Sequence, residues 1–305
     1  MDIPLLRMLV AAIEERSLSR AAQRERIVVS AASRRIAELE RLAGTALLRR
    51  SGRGVTPTPA GEMLYQRAKA ILRSMEQARE ALSAYSDSGQ PRIRLAVNPS
   101  TMVQFLPADL SGFLRRHPDF RLDLVEAFSG DVPRLVAGGD ADIGLYHAHM
   151  PAPGVTSIPY RIDRVGLVVP TDHVLAGRDA MSLEETLDYP FLGFFPRHTV
   201  EAFMEMAGNS ISRPPMVRCQ ISNYEARCRM VAEGLGLAIV PEMIARSHAR
   251  TMPLALVSLT DAWASRQILL CVRDRQVLPS GAGRLIEHLC GVRPGPAGAW
   301  DDASA

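Results

Sequence analysis

Small polar residues and arginines follow one another at Ser30-Ala31-Ala32-Ser33-Arg34-Arg35, the first segment of the chain whose side chains could do chemistry. Hydroxyl and guanidinium groups donate hydrogen bonds to phosphates and base edges, and small side chains keep a helix slim enough for a DNA groove. Further along, Arg50 and Arg53 flank a glycine-rich turn whose basic tip could lie along a nucleic-acid backbone. These patterns select seven candidate DNA-binding residues: Ser30, Ala31, Ser33, Arg34, Arg35, Arg50 and Arg53.

The distribution of charge favours the same interpretation without deciding it. Residues 1–58 contain eleven arginines and six acidic residues, residues 59–88 are balanced, and the rest of the chain is slightly acidic. A positive N-terminal region suits an anionic polymer as partner. The alternative is a solvated helical hairpin whose arginines only face water, and charge alone leaves that alternative open.

A second group of candidates lies where predicted strands end. Ser100 and Thr101 stand at the predicted start of a helix, where hydroxyls and backbone N–H groups could hold an anion, above all a carboxylate. Ser100 could equally serve only as the cap of that helix, and an arginine near the cleft could equally form a salt bridge at its rim. The candidate effector-binding residues are Ser100, Thr101, Ser129, His147, Phe195, Arg197 and Asn223, with His198 beside them.

The sequence offers little for catalysis or for a metal. It contains no GxSxG, Walker, GxGxxG or HExxH motif. No cluster of carboxylates accompanies His147 and His149, so we expect neither a metal site nor a cofactor. The four cysteines (Cys219, Cys228, Cys271 and Cys290) form no CxxC pair, and we expect them to be buried and unreactive.

The elements that must position the N-terminal candidates can be predicted from spacing. Apolar residues recur at helical intervals from Leu5 to Ile13, and Ser17 or Ser19 can cap a second short helix. A third helix follows, with Ile36, Leu39 and Leu42 as its expected buried stripe and Gly44 as its stop. Two helices joined by about four residues predict a helix-turn-helix, and the basic hairpin after them predicts a wing.

The order of residues in this region resembles the LysR-type transcriptional regulators. The matching positions include Leu6, Leu9-Val10-Ala11, Ser17-Leu18-Ser19, Ala21-Ala22, Ser30-Ala31, Ser33-Arg34, Ile36, Leu39-Glu40, Leu47-Leu48, Arg50, Thr58 and Ala60-Gly61. The resemblance implies a winged helix-turn-helix, a long dimerisation helix, a two-lobed effector domain and usually a tetramer.

One departure from the family falls at the start of the third helix. Most members have Ser-Gln-Pro there, whereas this chain has Val28-Val29-Ser30. Because valine is a poor helix cap, we expect the helix to begin later, capped by Ser30. The resemblance carries over well to Ser33, Arg34 and Arg53, and we expect Ser30 and Arg34 to carry much of the base discrimination.

The segment 59–88 is predicted to form a long linker helix. Its apolar residues alternate at spacings of four and three, as in a heptad seam. Such a stripe either packs on its own domain or pairs with a second copy, and we favour pairing. The predicted dimerisation residues are Leu64, Ala68, Ile71, Met75, Ala78 and Leu82. A turn-rich hinge follows at 89–91.

The rest of the chain alternates strands and helices, which predicts parallel βαβ units with a ligand at the carboxyl ends of the strands. We expect two lobes of a periplasmic-binding-protein-like effector domain over 92–294. Lobe I would comprise 92–162 and 266–294, and lobe II 163–265, with crossings near Ile162–Arg164 and Ala262–Arg266. The tail 295–305 is expected to be disordered.

The predicted fold class is therefore multidomain: a winged helix-turn-helix with a long linker helix (1–58 and 59–88), then an α/β two-lobed effector domain. We expect a DNA-binding transcription regulator, not an enzyme, controlled by a small-molecule effector. An α/β enzyme lacks its motifs here, and a solute-binding transport protein would carry an export signal in place of the DNA-binding unit. Expected partners are double-stranded DNA, further copies of the chain, the effector and RNA polymerase. No apolar run reaches the ~18 residues of a membrane span, so a cytoplasmic location is expected.

Overall fold

The structure of the protein is a computed structural model, and it describes residues 2–51, 54–83, 92–193, 210–273, 278–279, 281–294 and 300–302. Its N-terminal part is a small helical domain with a hairpin. The elements are α1 (Ile3–Glu14), α2 (Leu18–Arg24), α3 (Val29–Ala43), β1 (Leu48–Ser51) and β2 (Gly54–Pro57). The two strands pair antiparallel, with Leu48 opposite Pro57 and Ser51 opposite Gly54, and they form the predicted wing.

Local sequence explains where these helices begin and end. The Asp2 side chain caps α1 by accepting the Leu5 N–H at 3.1 Å, and Ser17 caps α2 by accepting the Arg20 N–H at 3.4 Å. Gly44 ends α3 with φ +66°, a left-handed conformation that glycine adopts without strain. Ala21 and Ala22 are fully buried in the domain core, where their small side chains let α2 approach its neighbours closely.

Helix α4 (Pro59–Ser83) is the long linker helix, and its first turns are held against the N-terminal domain. A Cβ added to Gly61 would lie 1.9 Å from the Leu47 carbonyl oxygen, so the helix backbone touches the start of the wing. About two turns further on, Ala68 is fully buried against Leu6 and Val10 of α1. Helix α4 and the N-terminal domain therefore share an apolar contact.

The C-terminal part alternates strands and helices. In chain order its elements are β3 (Arg92–Val97), α5 (Pro99–Gln104), α6 (Leu106–Arg116), β4 (Arg121–Glu126), α7 (Val132–Gly138), β5 (Ile143–His147), β6 (Val155–Pro170), β7 (Ala180–Met181), β8 (Pro190–Gly193), β9 (Met216–Gln220), α8 (Tyr224–Ala232), β10 (Ala238–Pro241), α9 (Glu242–His248), β11 (Leu254–Leu259), β12 (Ser265–Arg273), α10 (Ala282–Cys290), β13 (Val292–Pro294) and β14 (Trp300–Asp302).

Two strands carry the chain between two lobes. Over Val155–Arg164, β6 pairs with β12, which in turn pairs with β5 and so reaches the parallel strands β3 and β4 of lobe I. From Val165 onward, the same strand pairs with β10 and β11 of lobe II. Each lobe has its own buried core, one lined by β3, β5 and α6 and the other by β6, β10 and β11. The cleft therefore lies beside β6 and β12.

Several local predictions are corrected. Helix α3 begins at Val29 with Val28 as its cap residue, not at a later position capped by Ser30. Leu42 is 45% exposed because it sits in the last turn of α3, beyond the stripe formed by Ile36 and Leu39. The segment after Ser182 forms only one tight 3-10 turn at Glu184–Thr186.

At the C-terminus, residues Trp300–Asp302 pair antiparallel with Val292–Pro294. This part of the tail is therefore a strand and not disordered as expected. In the part of the chain that the structure describes, no helix combines the length and the apolar character of a membrane span.

Candidate DNA-binding surface and effector cleft

Helix α3 divides into an inward and an outward side. Ala32, Ile36 and Leu39 are buried in the core of the N-terminal domain. Ser30 and Arg34, one turn apart on the other side, are exposed, while Ala31, Ser33 and Arg35 are half-buried. We call Ser30, Ser33 and Arg34 the reading face. Of the two remaining candidates, Arg50 lies in β1, and Arg53 lies outside the described residues.

The arginines of this domain fall into two groups. Arg24 and Arg7 are paired within the domain, the first with Glu14 at 2.7 Å and the second with Glu25 at 3.1 Å. The Glu14 carboxylate raises the pKa of Arg24. Arg34 and Arg35, by contrast, form no ion pair with any described residue. The charges of Arg34 and Arg35 are therefore not neutralised by an ion pair with a described residue.

The linker helix distributes its predicted dimerisation residues over two sides. Ala68 is fully covered by α1, and Leu64 is partly covered by the same helix, so both already hold the DNA-binding domain. Ile71 is 44% exposed, Met75 is half-buried and Ala78 is exposed. The side chain of Leu82 lies outside the described part. Pairing through this helix stays a prediction, with Ile71 and Ala78 as the seam residues that α1 does not cover.

In the effector domain, the structure brings four predicted residues together. Ser100 and Thr101 at the start of α5, Ser129 after β4 and His147 at the end of β5 are all buried. A fifth residue, Asn98, joins them and was not predicted. We call these five residues the cleft network. They meet because the parallel strands β3, β4 and β5 end at the same edge of the sheet.

Asn98 organises the cleft network. Its Oδ1 accepts the Thr101 N–H at 2.9 Å, and its Nδ2 donates to Ser129 Oγ at 2.9 Å. Asn98 is therefore the cap of α5, which resolves the alternative that Ser100 serves only as that cap. Freed from capping, the Ser100 hydroxyl lies 3.4 Å from His147 Nε2. An asparagine directly before a predicted helix was the signal that could have revealed this role.

The hydrogen bonds around His147 fix its tautomer. Ser129 Oγ accepts hydrogen bonds from Asn98 Nδ2 at 2.9 Å and from the backbone N–H of His147 at 3.3 Å. The Ser129 hydroxyl proton therefore points to the ring nitrogen His147 Nδ1 at 3.2 Å. With Nδ1 as acceptor, the neutral ring carries its proton on Nε2. Burial, together with the nearby charge of Arg266, lowers the pKa of His147 to about 4. His147 is therefore neutral near pH 7.

An ion pair closes the cleft network on the side of the crossing strands. Asp163 of β6 accepts from Arg266 of β12 and, at 3.2 Å, from Gln104 Nε2 of α5. Its Oδ2 also lies 3.6 Å from His147 Nε2. Burial raises the pKa of Asp163, but the His147 hydrogen bond and the Arg266 charge outweigh it and bring the pKa below its usual value. Asp163 is thus a buried carboxylate at the cleft.

Sequence reasoning missed Asp163 and Arg266, although a signal was present. Both belong to the segments where the chain was predicted to cross between lobes, and residues at such crossings line the cleft. In the described residues, two buried polar atoms beside the cleft network have no hydrogen-bond partner, Thr101 Oγ1 and Arg266 Nε. An unsatisfied buried donor costs about 1–3 kcal/mol, so a ligand oxygen would find a ready donor there.

Protein-family comparison agrees with this division of the chain. A model described as "Bacterial regulatory helix-turn-helix protein, lysR family" matches residues 3–62, and one described as "LysR substrate binding domain" matches residues 86–292. The chain belongs to the LysR family. It is a DNA-binding transcriptional regulator with an effector-binding domain and not an enzyme, as predicted.

Similar proteins cover nearly the whole regulator. The transcriptional regulator CysL of Bacillus subtilis (strain 168) is 25% identical, over 87% of this chain and 88% of its own length. A probable hydrogen peroxide-inducible genes activator of Mycobacterium avium is 26% identical, over 88% and 87%. Among solved structures, that of CbnR, a LysR family transcriptional regulator, is 18% identical with a TM-score of 0.69. The match covers 95% of this chain and 98% of the CbnR chain. CbnR in complex with its target DNA is 19% identical, with a TM-score of 0.66 and coverages of 95% and 99%. The predicted fold class is confirmed.

Of the other predicted effector residues of the regulator, Asn223 lies in the described part of the chain, and it does not join the cleft network. Asn223 is exposed, and its side chain caps α8 by accepting the Ala226 N–H at 2.9 Å. Phe195, Arg197 and His198 lie outside the described residues. Tyr224, which follows Asn223 in the chain, is a lobe II residue that reaches across the cleft. Its side chain hydrogen bonds with Ser100. Burial raises the pKa of Tyr224, which therefore stays a neutral phenol.

The cysteines of the regulator behave as expected with one exception. Cys228 and Cys271 are buried, and burial raises the pKa of their thiols to about 11 and about 12, which makes them poor nucleophiles. Cys290 is partly buried, and burial raises its pKa to about 12. Cys219, predicted to be buried, is exposed on β9, which among the described residues pairs with β8 alone in a two-stranded sheet. In the described part of the chain, no group of residues suits a metal ion.

Proposed function

We propose that this regulator binds a small carboxylate at the cleft network and that this binding changes how a homotetramer holds its operator DNA. The observation that carries the proposal is that two buried polar atoms of this region, Thr101 Oγ1 and Arg266 Nε, have no hydrogen-bond partner among the described residues. Hydroxyl and guanidinium donors suit a carboxylate, because each of its oxygens accepts more than one hydrogen bond.

Charge supports an anion over a neutral ligand. Arg266 already faces Asp163 through one terminal nitrogen, but its guanidinium presents donors on more than one edge. A carboxylate at the Nε side would therefore share Arg266 with Asp163 without breaking the existing pair. His147, neutral in this structure, stands 3.4 Å from Ser100 Oγ and could take up a proton to balance the additional negative charge.

The route from the cleft to DNA runs through lobe I and the linker helix. His147 ends β5, and Asp142 lies directly before the start of that strand. The Asp142 carboxylate accepts two hydrogen bonds from Arg73 of α4, both at 3.0 Å, and Asp140 pairs with Lys69 of the same helix. A shift of β5 on effector binding would therefore move the helix that carries the DNA-binding domain, which is linkage between two sites.

The expected tetramer, a cytoplasmic location and contact with RNA polymerase belong to the same proposal. A long linker helix with exposed apolar residues such as Ile71 supports self-association, and a two-fold dimer matches two operator half-sites. The proposal does not depend on RNA polymerase, because binding of effector and of DNA can be measured without it.

The test uses the full-length protein and an operator selected from randomised double-stranded DNA. Acetate, benzoate and succinate are compared with their amides for their effect on operator affinity, measured by fluorescence anisotropy at two salt concentrations. We expect at least one acid to change the affinity while its amide, which has lost the negative charge, does not. Equal effects of acid and amide would contradict a carboxylate site.

The site itself is tested with Ser100→Ala combined with Thr101→Val. We expect the double variant to lose the response to the active acid while its operator affinity without effector stays within twofold, because neither residue lies near α3. Thr171→Val, a change at an exposed threonine of lobe II, is the matched control and should respond normally. An unchanged response in the double variant would remove the proposed anion site.

A further inference from the structure

Two adjacent valines at the start of α3 are unusually exposed. Val28 is 67% exposed and Val29 is 47% exposed, whereas Val10 and Val55 of the same domain are 8% and 6% exposed. Single apolar residues on a surface are ordinary. A pair at the tip of the helix that bears the reading face has no such simple explanation.

The valine pair contributes little to its own domain. The inward side of α3 is formed by Ala32, Ile36 and Leu39, not by the valines. As cap residue, Val28 makes no side-chain hydrogen bond, although its carbonyl oxygen accepts the Ala31 N–H at 3.0 Å and the Ala32 N–H at 3.1 Å. A serine, threonine or asparagine there would stabilise the helix better. The two valine side chains therefore add little to the stability of their own domain, and a contact outside the domain would explain them.

The surroundings favour DNA as the occupant. Ser33 lies one turn after Val29 on α3, and Arg34 beside it forms no ion pair with a described residue. An exposed cation on the same helix as two exposed methyl-bearing side chains suits a surface that is anionic but carries apolar groups. The major groove of DNA has this character, because thymine presents a C5-methyl group among phosphates and polar base edges.

We propose that Val28 and Val29 read thymine methyl groups in the major groove, so that each operator half-site requires thymine at one or two positions facing the start of α3. The inference rests on DNA reading by α3, which belongs to the function proposed above, and it adds the chemistry by which the sequence is recognised. Valine has no hydrogen-bonding side-chain group, so the contact discriminates by methyl burial and shape alone.

The experiment replaces thymine by uracil, which lacks only the C5-methyl group. Full-length protein selects an operator from randomised double-stranded DNA, and each thymine of one half-site is then changed to uracil in turn. We expect one or two of these changes to weaken binding about fourfold, the factor for one methyl-sized group no longer removed from water. The same titrations are repeated with Val28→Ala and Val29→Ala.

A double-mutant cycle assigns the contact. If a valine reads a given methyl group, its alanine variant binds the thymine operator about fourfold more weakly but no longer distinguishes thymine from uracil at that position. Val174→Ala removes the same atoms from a 77%-exposed valine of the effector domain and is the matched control. We expect this control to keep the full preference for thymine.

Three results would overturn the inference. The first is that no position of the half-site shows a preference for thymine over uracil, and the second is that the preference survives unchanged in both alanine variants. The third is that the variants lower the molar mass in light scattering while keeping the preference, which would make the valine pair a contact between protein chains. If no DNA sequence is selected at all, the proposed function fails and this inference falls with it; selection without a thymine preference overturns the inference alone.

Discussion

The reading face and the cleft network use similar side chains in opposite settings. On α3, Ser30 and Arg34 are exposed, and Arg34 has no ion pair with a described residue. In the cleft, Ser100 and His147 are almost fully buried, and most of their polar atoms are already satisfied by other residues of the chain.

The difference fits the ligands that the proposed function assigns to the two regions. DNA is large and charged along its whole surface. An exposed polar side chain that binds it is hydrated when DNA is absent, so keeping that side chain unpaired costs little free energy. A small effector must be surrounded, and donors held for it in a buried cleft are costly unless a network holds them in place. We therefore expect changes at the reading face to alter binding but not folding, and changes in the cleft network to alter both.

The largest expected effect tests the buried side of this comparison. Asn98→Ala removes a cap and leaves the Thr101 N–H and Ser129 Oγ without their partner, so the free energy of unfolding should fall by about 3 kcal/mol. Asn223→Ala, which removes an exposed cap of the same kind, should cost only about 1 kcal/mol. Urea denaturation followed by circular dichroism measures both. Equal losses would mean that burial adds nothing to the role of Asn98.

A comparable effect is expected from pH. Because the pKa of His147 falls from 6.5 in the unfolded chain to about 4 in the folded protein, the unfolded state binds the proton more readily between these values. The contribution of the neutral ring to stability is complete above pH 6.5 and is lost as the pH falls to 4, by about 3 kcal/mol in total. His147→Asn should therefore show a smaller loss of stability than the wild type over this interval. Parallel pH profiles of the two proteins would contradict the buried, neutral histidine.

The exposed side is tested by Arg34→Ala. The free energy of unfolding should change by less than about 0.5 kcal/mol, because the side chain is exposed and forms no ion pair with a described residue. Operator affinity should fall about 10- to 100-fold, with a smaller loss on scrambled DNA, if the guanidinium contacts a base edge. Fluorescence anisotropy on both DNAs measures the two losses. An equal loss on both would make Arg34 a phosphate contact only.

Prediction from sequence succeeded where the information is local. Helical spacing placed α1, α2 and α4, and Gly44 marked the end of α3, because caps and periodicity depend on residues a few positions apart. The meeting of Ser100, Ser129 and His147 could also be anticipated, since each follows a predicted parallel strand. Local rules failed at the start of α3, where Val28 is the cap residue although valine is a poor cap, and at Leu42, whose exposure depends on what packs against α3 and not on spacing alone.

The sequence by itself determined the order of the domains, the helix-turn-helix, the family and the strand ends at which a ligand could bind. Only the tertiary structure decided which groups come together near those strand ends. Asp163 meets Arg266, 103 positions further along the chain, because β6 and β12 pair in one particular register. Cys219 is exposed on β9 of a two-stranded sheet, and Val28 is exposed because it lies outside the apolar core that the described residues of its domain form. Residues close in sequence determine helices and turns, but a contact between distant residues depends on how whole strands and lobes pack, which no local pattern encodes.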